Sequence, residues 1–261
     1  MTDPWSVLTE HQQQVARPWL ADRERERHHV AIYLSGAHAY GFPSPDSDLD
    51  LKCVHLVPTG ELVGLRLVDD PPDKIVVVDG VELDYSSNEL ATALRAIIKG
   101  NGNYLERILG ELVLGGDRDL LDEARAVVKP LISRRVAHHY GGFAKSQLKA
   151  FDEKPTAKRA LYVLRTAATG RCLMARGELV TDVARLGDFV PREIEELLVI
   201  KRVGERQQLE ADHAAAWRGK LVAAIAAVHA DVASSVLPAE PPEGALDALE
   251  RWLRDVRKRS W

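Results

Sequence analysis

The hydrophobic pattern of the chain changes near Ser87, and this change limits the fold classes open to it. Upstream, three stretches rich in β-branched residues predict strands: HVAIYLSG, LDLKCVHLV and DKIVVVDGVELDYSS, the last folded at Asp79-Gly80 as a hairpin. Downstream, apolar residues recur at helical spacing, beginning with SSNELATALRAIIKG, which opens on a candidate serine cap, and NYLERILGELVL. A small sheet followed by a series of helices predicts an α+β fold, with a sheet domain at residues 1–115 and a helical domain at 116–261.

The composition is ordinary for a globular protein and excludes several classes. Of the 261 residues, 46% are hydrophobic and 28% charged, and the net charge of −4 means that any nucleic-acid contact must come from a local basic patch. Cys53 and Cys172 stand among apolar neighbours, which indicates buried, reduced thiols rather than a disulfide framework. The amino terminus lacks the pattern of a signal peptide, and no apolar run approaches the ~20 residues that span a bilayer. We therefore expect a cytoplasmic protein.

Two aspartates separated by one residue are the strongest chemical signal. Asp48 and Asp50 alternate with Leu49 and Leu51, so on a strand both carboxylates share one face. Carboxylates held this close repel each other, and a divalent cation removes that cost. With no Cys or His pair nearby, the hard oxygen donors favour Mg²⁺ over Zn²⁺. For an Asp-x-Asp pair taken alone, however, a solvated surface turn is the favoured interpretation.

The residues around this pair favour a phosphate site. Gly36 and Gly41 let the backbone approach a ligand closely, and backbone amides at a helix start bind phosphate. A third carboxylate is expected on a neighbouring strand. In GVELDYSS, Glu82 and Asp84 share one face, and periodicity alone does not choose between them.

Two blocks of the sequence carry a family resemblance. GAHAYGFPSPDSDLDL resembles the nucleotidyltransferase signature of the DNA polymerase β superfamily, and in particular the YcgL-type proteins that include the RlaP enzymes associated with RNA repair. LDYSSNELATALRAIIKGNGNYLERIL resembles a second family block, in which Asp84 takes the third-carboxylate position. A looser third block continues to about Glu178. The matching residues of the first two blocks are Gly36, Ala39, Tyr40, Gly41, Ser47, Asp48, Asp50, Lys99, Gly100, Asn101, Asn103 and Glu106.

The resemblance implies a polymerase β-like domain with a small mixed sheet and a nucleotidyltransferase that requires Mg²⁺ or Mn²⁺. Asp48 and Asp50 would bind both metals, while Asp84 would complete one site and help activate the attacking hydroxyl. The residues expected to hold the nucleoside triphosphate are Ser35, Gly36, Ala37, Tyr40, Gly41, Ser47, Lys99 and Asn101. The sequence departs from the family at Ala37, where a serine usually contacts the phosphates, and at His38, where arginine is usual.

Other interpretations of these residues stay open. Lys99 also suits a helix C-terminus, Asn101 a helix cap, and Tyr40 simple packing on the sheet. The expected acceptor is an RNA or DNA end held by a basic patch, although such a run is usually a solvated face. Alternatives are a protein hydroxyl, a small molecule such as an aminoglycoside, or a non-catalytic nucleotide-binding module, which Ala37 would favour. The residues of the patch are Lys145, Lys149, Lys158, Arg159 and Arg165.

Overall fold

The computed structural model describes residues 3–65, 68–203 and 208–261 and has the predicted α+β fold. The sheet has five strands in the order β3-β4-β2-β1-β5, and β2 and β4 run parallel while the other neighbours are antiparallel. The sheet is therefore mixed. The strands are β1 (His28–Leu34), β2 (Leu49–Leu56), β3 (Lys74–Val78), β4 (Val81–Glu89) and β5 (Val113–Gly115).

The hairpin between β3 and β4 is confirmed, because Asp79 and Gly80 both have the positive φ angles, 47° and 82°, that a tight hairpin turn requires. Two local predictions are wrong. β4 continues through the candidate serine cap to Glu89, whose side chain caps the next helix by accepting a hydrogen bond from the Ala91 amide at 2.7 Å. The run predicted as one helix, NYLERILGELVL, stops being helical at Leu109, and Val113 pairs with Tyr33 of β1 to form the edge strand.

The α-helices of the described residues precede, separate and follow the strands along the chain, and none of them is long and apolar enough to cross a membrane. They are α1 (Glu10–Glu26), α2 (Gly36–Ala39), α3 (Thr59–Leu62), α4 (Leu90–Ile98), α5 (Gly102–Leu109), α6 (Arg118–Val128), α7 (Val136–Glu153), α8 (Ala157–Arg176), α9 (Ile194–Val203), α10 (Ala211–Ala230) and α11 (Glu243–Arg259).

One face of the sheet supplies its main apolar core. Leu49, Leu51 and Leu83 are fully buried there, together with Cys53, and α1 packs against them through Leu20 and its neighbours. Both cysteines are buried and free, as expected, and burial raises the pKa of the Cys53 thiol to about 12. Since strand residues alternate between faces, this core leaves the intervening residues on the other side of the sheet.

The chain divides into two compact units that do not follow the predicted boundary at residue 115. The sheet unit contains residues up to His38, Asp48–Ile132 and Pro241–Trp261. The helical unit contains Ala39–Ser47 and Ser133–Glu240, with α7, α8 and α10 packed on one another. The last helix, α11, belongs to the sheet unit because it packs on α6, where the Trp252 indole donates a hydrogen bond to Glu123 at 2.8 Å.

Candidate active site

The sheet brings two of the three predicted carboxylates directly opposite each other. Because β2 and β4 are parallel, Asp50 is the register partner of Asp84, and Asp48 lies immediately before β2. Asp50 and Asp84 are half-buried on the face opposite the leucine core, whereas Glu82 is exposed. Of the two candidates for the third carboxylate, Asp84 is therefore the one that faces Asp50.

The first half of the glycine turn lies against the Asp50 carboxylate. The Ser35 amide donates to the Asp50 carbonyl oxygen at 2.8 Å, and α2 begins at Gly36 with φ of 63°. A Cβ atom at Gly36 would fall 1.7 Å from the Asp50 Oδ2 atom, so this position requires a residue without a side chain. Ala37, the next residue, is buried with 3% of its surface exposed.

The second half of the turn is held within the helical unit. Tyr40 is buried, packs edge-on against Tyr162 with ring centroids 5.6 Å apart, and has the Arg165 guanidinium 3.5 Å above its ring. Gly41 has φ of 82° and lies where a Cβ would overlap Asp182, 2.0 Å from its Oδ1. For Tyr40, these contacts agree with packing rather than with a ring left open for a nucleobase.

Ser47 closes the same loop. Its hydroxyl accepts a hydrogen bond from the Ser44 amide at 3.0 Å, and the two serine hydroxyls lie 3.1 Å apart. Lys201, which is fully buried, donates to the Ser44 hydroxyl at 2.6 Å. In this conformation Ser47 thus orders the segment that leads to Asp48.

A residue that the sequence reasoning missed lies beside the carboxylates. The Lys52 Nζ atom is 2.9 Å from the Asp84 Oδ1 atom, and the two side chains are 23% and 27% exposed. Lys52 follows Asp50 by two positions on β2, so the same alternation that paired Asp48 with Asp50 puts it on their face. The alternation of residues along β2 is therefore the sequence signal that could have identified Lys52.

The donor set is of the type that Mg²⁺ prefers, since Asp48, Asp50 and Asp84 offer only carboxylate oxygens. The parallel register supplies two of these side chains from adjacent strands, and the side-chain-free Gly36 leaves room for the Asp50 carboxylate. Within the described ranges, however, no three His, Cys, Asp or Glu side chains converge closely enough to hold a metal ion. One Asp84 oxygen is paired with Lys52 instead. The residues fit a hard divalent cation in kind, and the Lys52 ammonium beside Asp84 would repel a cation bound there.

Two further predicted nucleotide contacts lie where α4 ends and α5 begins. Asn101 caps α5, its Oδ1 atom accepting from the Asn103 amide at 3.0 Å, which confirms the capping interpretation. Lys99 is exposed at the C-cap of α4, where a cation complements the helix dipole. A role in nucleotide binding stays a prediction for both residues.

The predicted basic patch is smaller in the structure than in the sequence. Lys145 and Lys149 are exposed on α7, four residues apart on one helix face. Lys158 is half-buried, and Arg159 donates to the Ala150 and Lys154 carbonyl oxygens at the end of α7. The assignment of Arg165 to a surface patch is wrong, because its side chain is 1% exposed and stacks on the Tyr40 ring.

The chain resembles two proteins that are themselves described as uncharacterized. It is 26% identical over 155 residues to MJ0002 of Methanocaldococcus jannaschii, covering 59% of this chain and 63% of that protein, or less than two thirds of its length. It is 28% identical over 190 residues to YcgL of Bacillus subtilis, covering 68% of this chain and 71% of that protein.

A solved structure and a family model complete the comparison. A nucleotidyltransferase-like protein from Exiguobacterium sibiricum aligns with 85% of this chain and 75% of its own at 10% identity, with a TM-score of only 0.35. The model of the family described as "RlaP: RNA repair pathway DNA polymerase beta family" matches residues 13–255. The match takes in the glycine turn, all three carboxylates and most of the helical unit, and the chain belongs to this RlaP family.

Proposed function

We propose that the protein is a divalent-metal-dependent nucleotidyltransferase that transfers a nucleoside monophosphate from a nucleoside triphosphate to an acceptor hydroxyl. Membership of the RlaP family supports a function of the nucleotidyltransferase type. The observation that carries the proposal is the register of β2 and β4, which sets Asp50 opposite Asp84 beside the glycine turn at Gly36. Two carboxylates set opposite each other on one face repel, and a bound divalent cation would offset that repulsion.

Each group has a distinct task in the proposed reaction. The backbone of the turn at Gly36 binds the triphosphate, while Asp48 and Asp50 would hold Mg²⁺. Bound Mg²⁺ would neutralise charge on the phosphates and on the attacking and leaving oxygens. Asp84 would complete one metal site, and it accepts the proton of the acceptor hydroxyl as the hydroxyl oxygen bonds to the α-phosphorus. The bond to pyrophosphate breaks at the same centre, and pyrophosphate leaves with the electron pair.

For the acceptor we propose an RNA end. The family description places these proteins in an RNA repair pathway, and Lys145 and Lys149 give α7 an exposed pair of cations that could contact a phosphate backbone. A non-catalytic nucleotide-binding module is the second candidate, because Ala37 is buried and offers no hydroxyl to the phosphates. Release of pyrophosphate separates the two, since a module that only binds nucleotide releases none.

The test incubates the full-length protein with each labelled nucleoside triphosphate, Mg²⁺ or Mn²⁺, and total cellular RNA or protein, followed by gel separation. Label should move onto RNA, with stoichiometric pyrophosphate. Asp48→Asn, Asp50→Asn and Asp84→Ala should each lower the transfer rate about a hundredfold or more, since each removes a charged group from the reacting centre.

Glu82→Ala is the matched control, because Glu82 is an acid on the same strand two residues from Asp84, yet exposed. It should keep near wild-type transfer with an unchanged far-UV spectrum. Loss of transfer in Glu82→Ala together with its survival in Asp84→Ala would overturn the assignment. Labelling of protein in place of RNA would move the acceptor to a protein hydroxyl.

A further inference from the structure

The ion pair between Lys52 and Asp84 is not explained by the reaction as proposed so far. In the parallel register the partner of Lys52 is Ser86, not Asp84, so the lysine side chain reaches diagonally across the two strands to the carboxylate. Both side chains are about three-quarters buried, at 23% and 27% exposed. Because water screens a partly buried ion pair less than a surface pair, the two charges attract each other more strongly here.

The pairing places a positive charge 2.9 Å from one oxygen of the carboxylate that is expected to join the metal site. Asp50 and Asp84 are register partners, so the Lys52 ammonium sits on the same face of the sheet as both carboxylates. An ammonium and a divalent cation cannot both lie against the same oxygen without strong repulsion. Withdrawal of the lysine therefore favours binding of a metal ion at Asp84.

The chemistry of lysine makes that withdrawal feasible. Its charge is a compact ammonium at the end of a flexible four-carbon stem, so the charge can move several ångströms while β2 keeps its pairing with β4. The triphosphate offers the displaced ammonium a new set of anionic oxygens. We propose that Lys52 is a built-in counterion of Asp84 that competes with divalent cations, so that a metal ion joins Asp84 readily only once nucleotide has drawn the lysine away. This inference rests on the proposed nucleotidyltransferase function.

The competition can be measured without turnover, by Mn²⁺ binding to the full-length protein in the absence of nucleotide, with free Mn²⁺ followed by electron paramagnetic resonance. Lys52→Met keeps most of the stem and deletes the charge, and it should tighten Mn²⁺ binding about tenfold. Lys52→Gln serves as a second neutral variant should the first fail to fold. Lys52→Arg keeps the charge and should stay within about threefold of wild type.

A double-mutant cycle makes the test specific to Asp84. In an Asp84→Asn background, Lys52→Met should change Mn²⁺ affinity by less than about twofold, because the contested carboxylate charge is gone. Equal tightening in both backgrounds would reveal only a general effect of removing a positive charge, and would overturn the inference. Unchanged affinity in both neutral variants would overturn it as well.

The proposed function can survive that failure. If wild type binds Mn²⁺ and Asp50→Asn does not, the metal site stands while the role of Lys52 falls. If neither wild type nor Lys52→Met binds Mn²⁺ through these aspartates, both the competition and the metal-dependent function are overturned.

Discussion

Gly36 is the residue on which the geometry of the site depends most directly. Its φ of 63° lies in the left-handed region, and the Asp50 carboxylate occupies the space where any side chain would go. Gly80 offers a comparison within the same unit, since its φ is 82° but nothing lies within 4 Å of its would-be Cβ. The two glycines thus share a backbone requirement and differ only in the neighbouring carboxylate.

Gly36→Ala should therefore disable the site, whereas Gly80→Ala should only destabilise the hairpin. Each substitution costs about 1–2 kcal/mol of unfolding free energy for the left-handed backbone. Gly36→Ala must also displace Asp50, and we expect a loss of transfer of about a hundredfold beyond that of Gly80→Ala. Urea unfolding and transfer rates measured on both proteins decide it. Similar activity in the two variants would show that the Asp50 carboxylate does not need its observed position.

At the scale of single elements, helix α7 is the surface on which the RNA hypothesis can be tested. Lys145 and Lys149 are its exposed cations. By contrast, Arg159 donates a hydrogen bond to a carbonyl oxygen near the end of the helix, and Arg165 is buried in the helical unit. Lys145→Gln with Lys149→Gln should weaken RNA binding and reduce its log–log salt slope by up to about 1.4, or 0.7 for each lost phosphate contact of a single strand. Nucleoside triphosphate affinity should not change.

The control for this pair is Arg254→Gln with Lys258→Gln on α11. Both residues are exposed, and each is already paired with an acidic neighbour, Glu250 at 2.8 Å and Asp255 at 2.9 Å. This double variant removes the same total charge and should leave the salt slope near the wild-type value. An identical slope in the α7 variant and in wild type would remove α7 from the acceptor site.

At the scale of the whole molecule, buried histidines should make the protein sensitive to acid. Burial lowers the pKa of His29 to about 3, and burial followed by the Arg165 charge lowers that of His139 to about 4, from an ordinary value of 6.5. Between pH 6.5 and these lowered values, the unfolded chain binds protons that the folded protein does not. Stability is thus fully present above about pH 6.5 and is lost progressively as the pH falls toward 4.

His139→Phe should flatten this loss. The His139 ring stacks on Phe143 with centroids 5.9 Å apart, and its buried Nε2 atom makes no hydrogen bond within the described residues, so a phenyl ring preserves the packing. The fall in unfolding free energy between pH 7 and pH 4.5 should shrink by on the order of 1–2 kcal/mol. Urea titrations at both pH values measure it, with the exposed His138→Gln as control. Parallel pH curves for His139→Phe and wild type would contradict the prediction.

The sequence by itself determined the α+β class and the turn at Gly36, and it predicted one shared face for Asp48 and Asp50, of which β2 contains only Asp50. Each follows from local chemistry, namely period-two alternation, the backbone freedom of glycine and the spacing of acidic residues. The second block pointed to Asp84 through family resemblance rather than periodicity. The parallel pairing that sets Asp84 opposite Asp50 was not readable, because alternation reports the face of a side chain and not which strand lies beside it.

Only the tertiary structure decided the partners of the charged residues. Lys52 turns to Asp84 because the diagonal between two parallel strands is within its reach. The sequence suggests that Arg165 is one more surface cation. In the structure Arg165 is buried, and its cation–π contact with the Tyr40 ring offsets part of the free-energy cost of burying the charge. β5 is only three residues long, too short for a periodic signal, and forms because the edge of β1 supplies its hydrogen-bond partners. Contacts between residues that are distant in the chain determine these features, and the local sequence pattern does not predict such contacts.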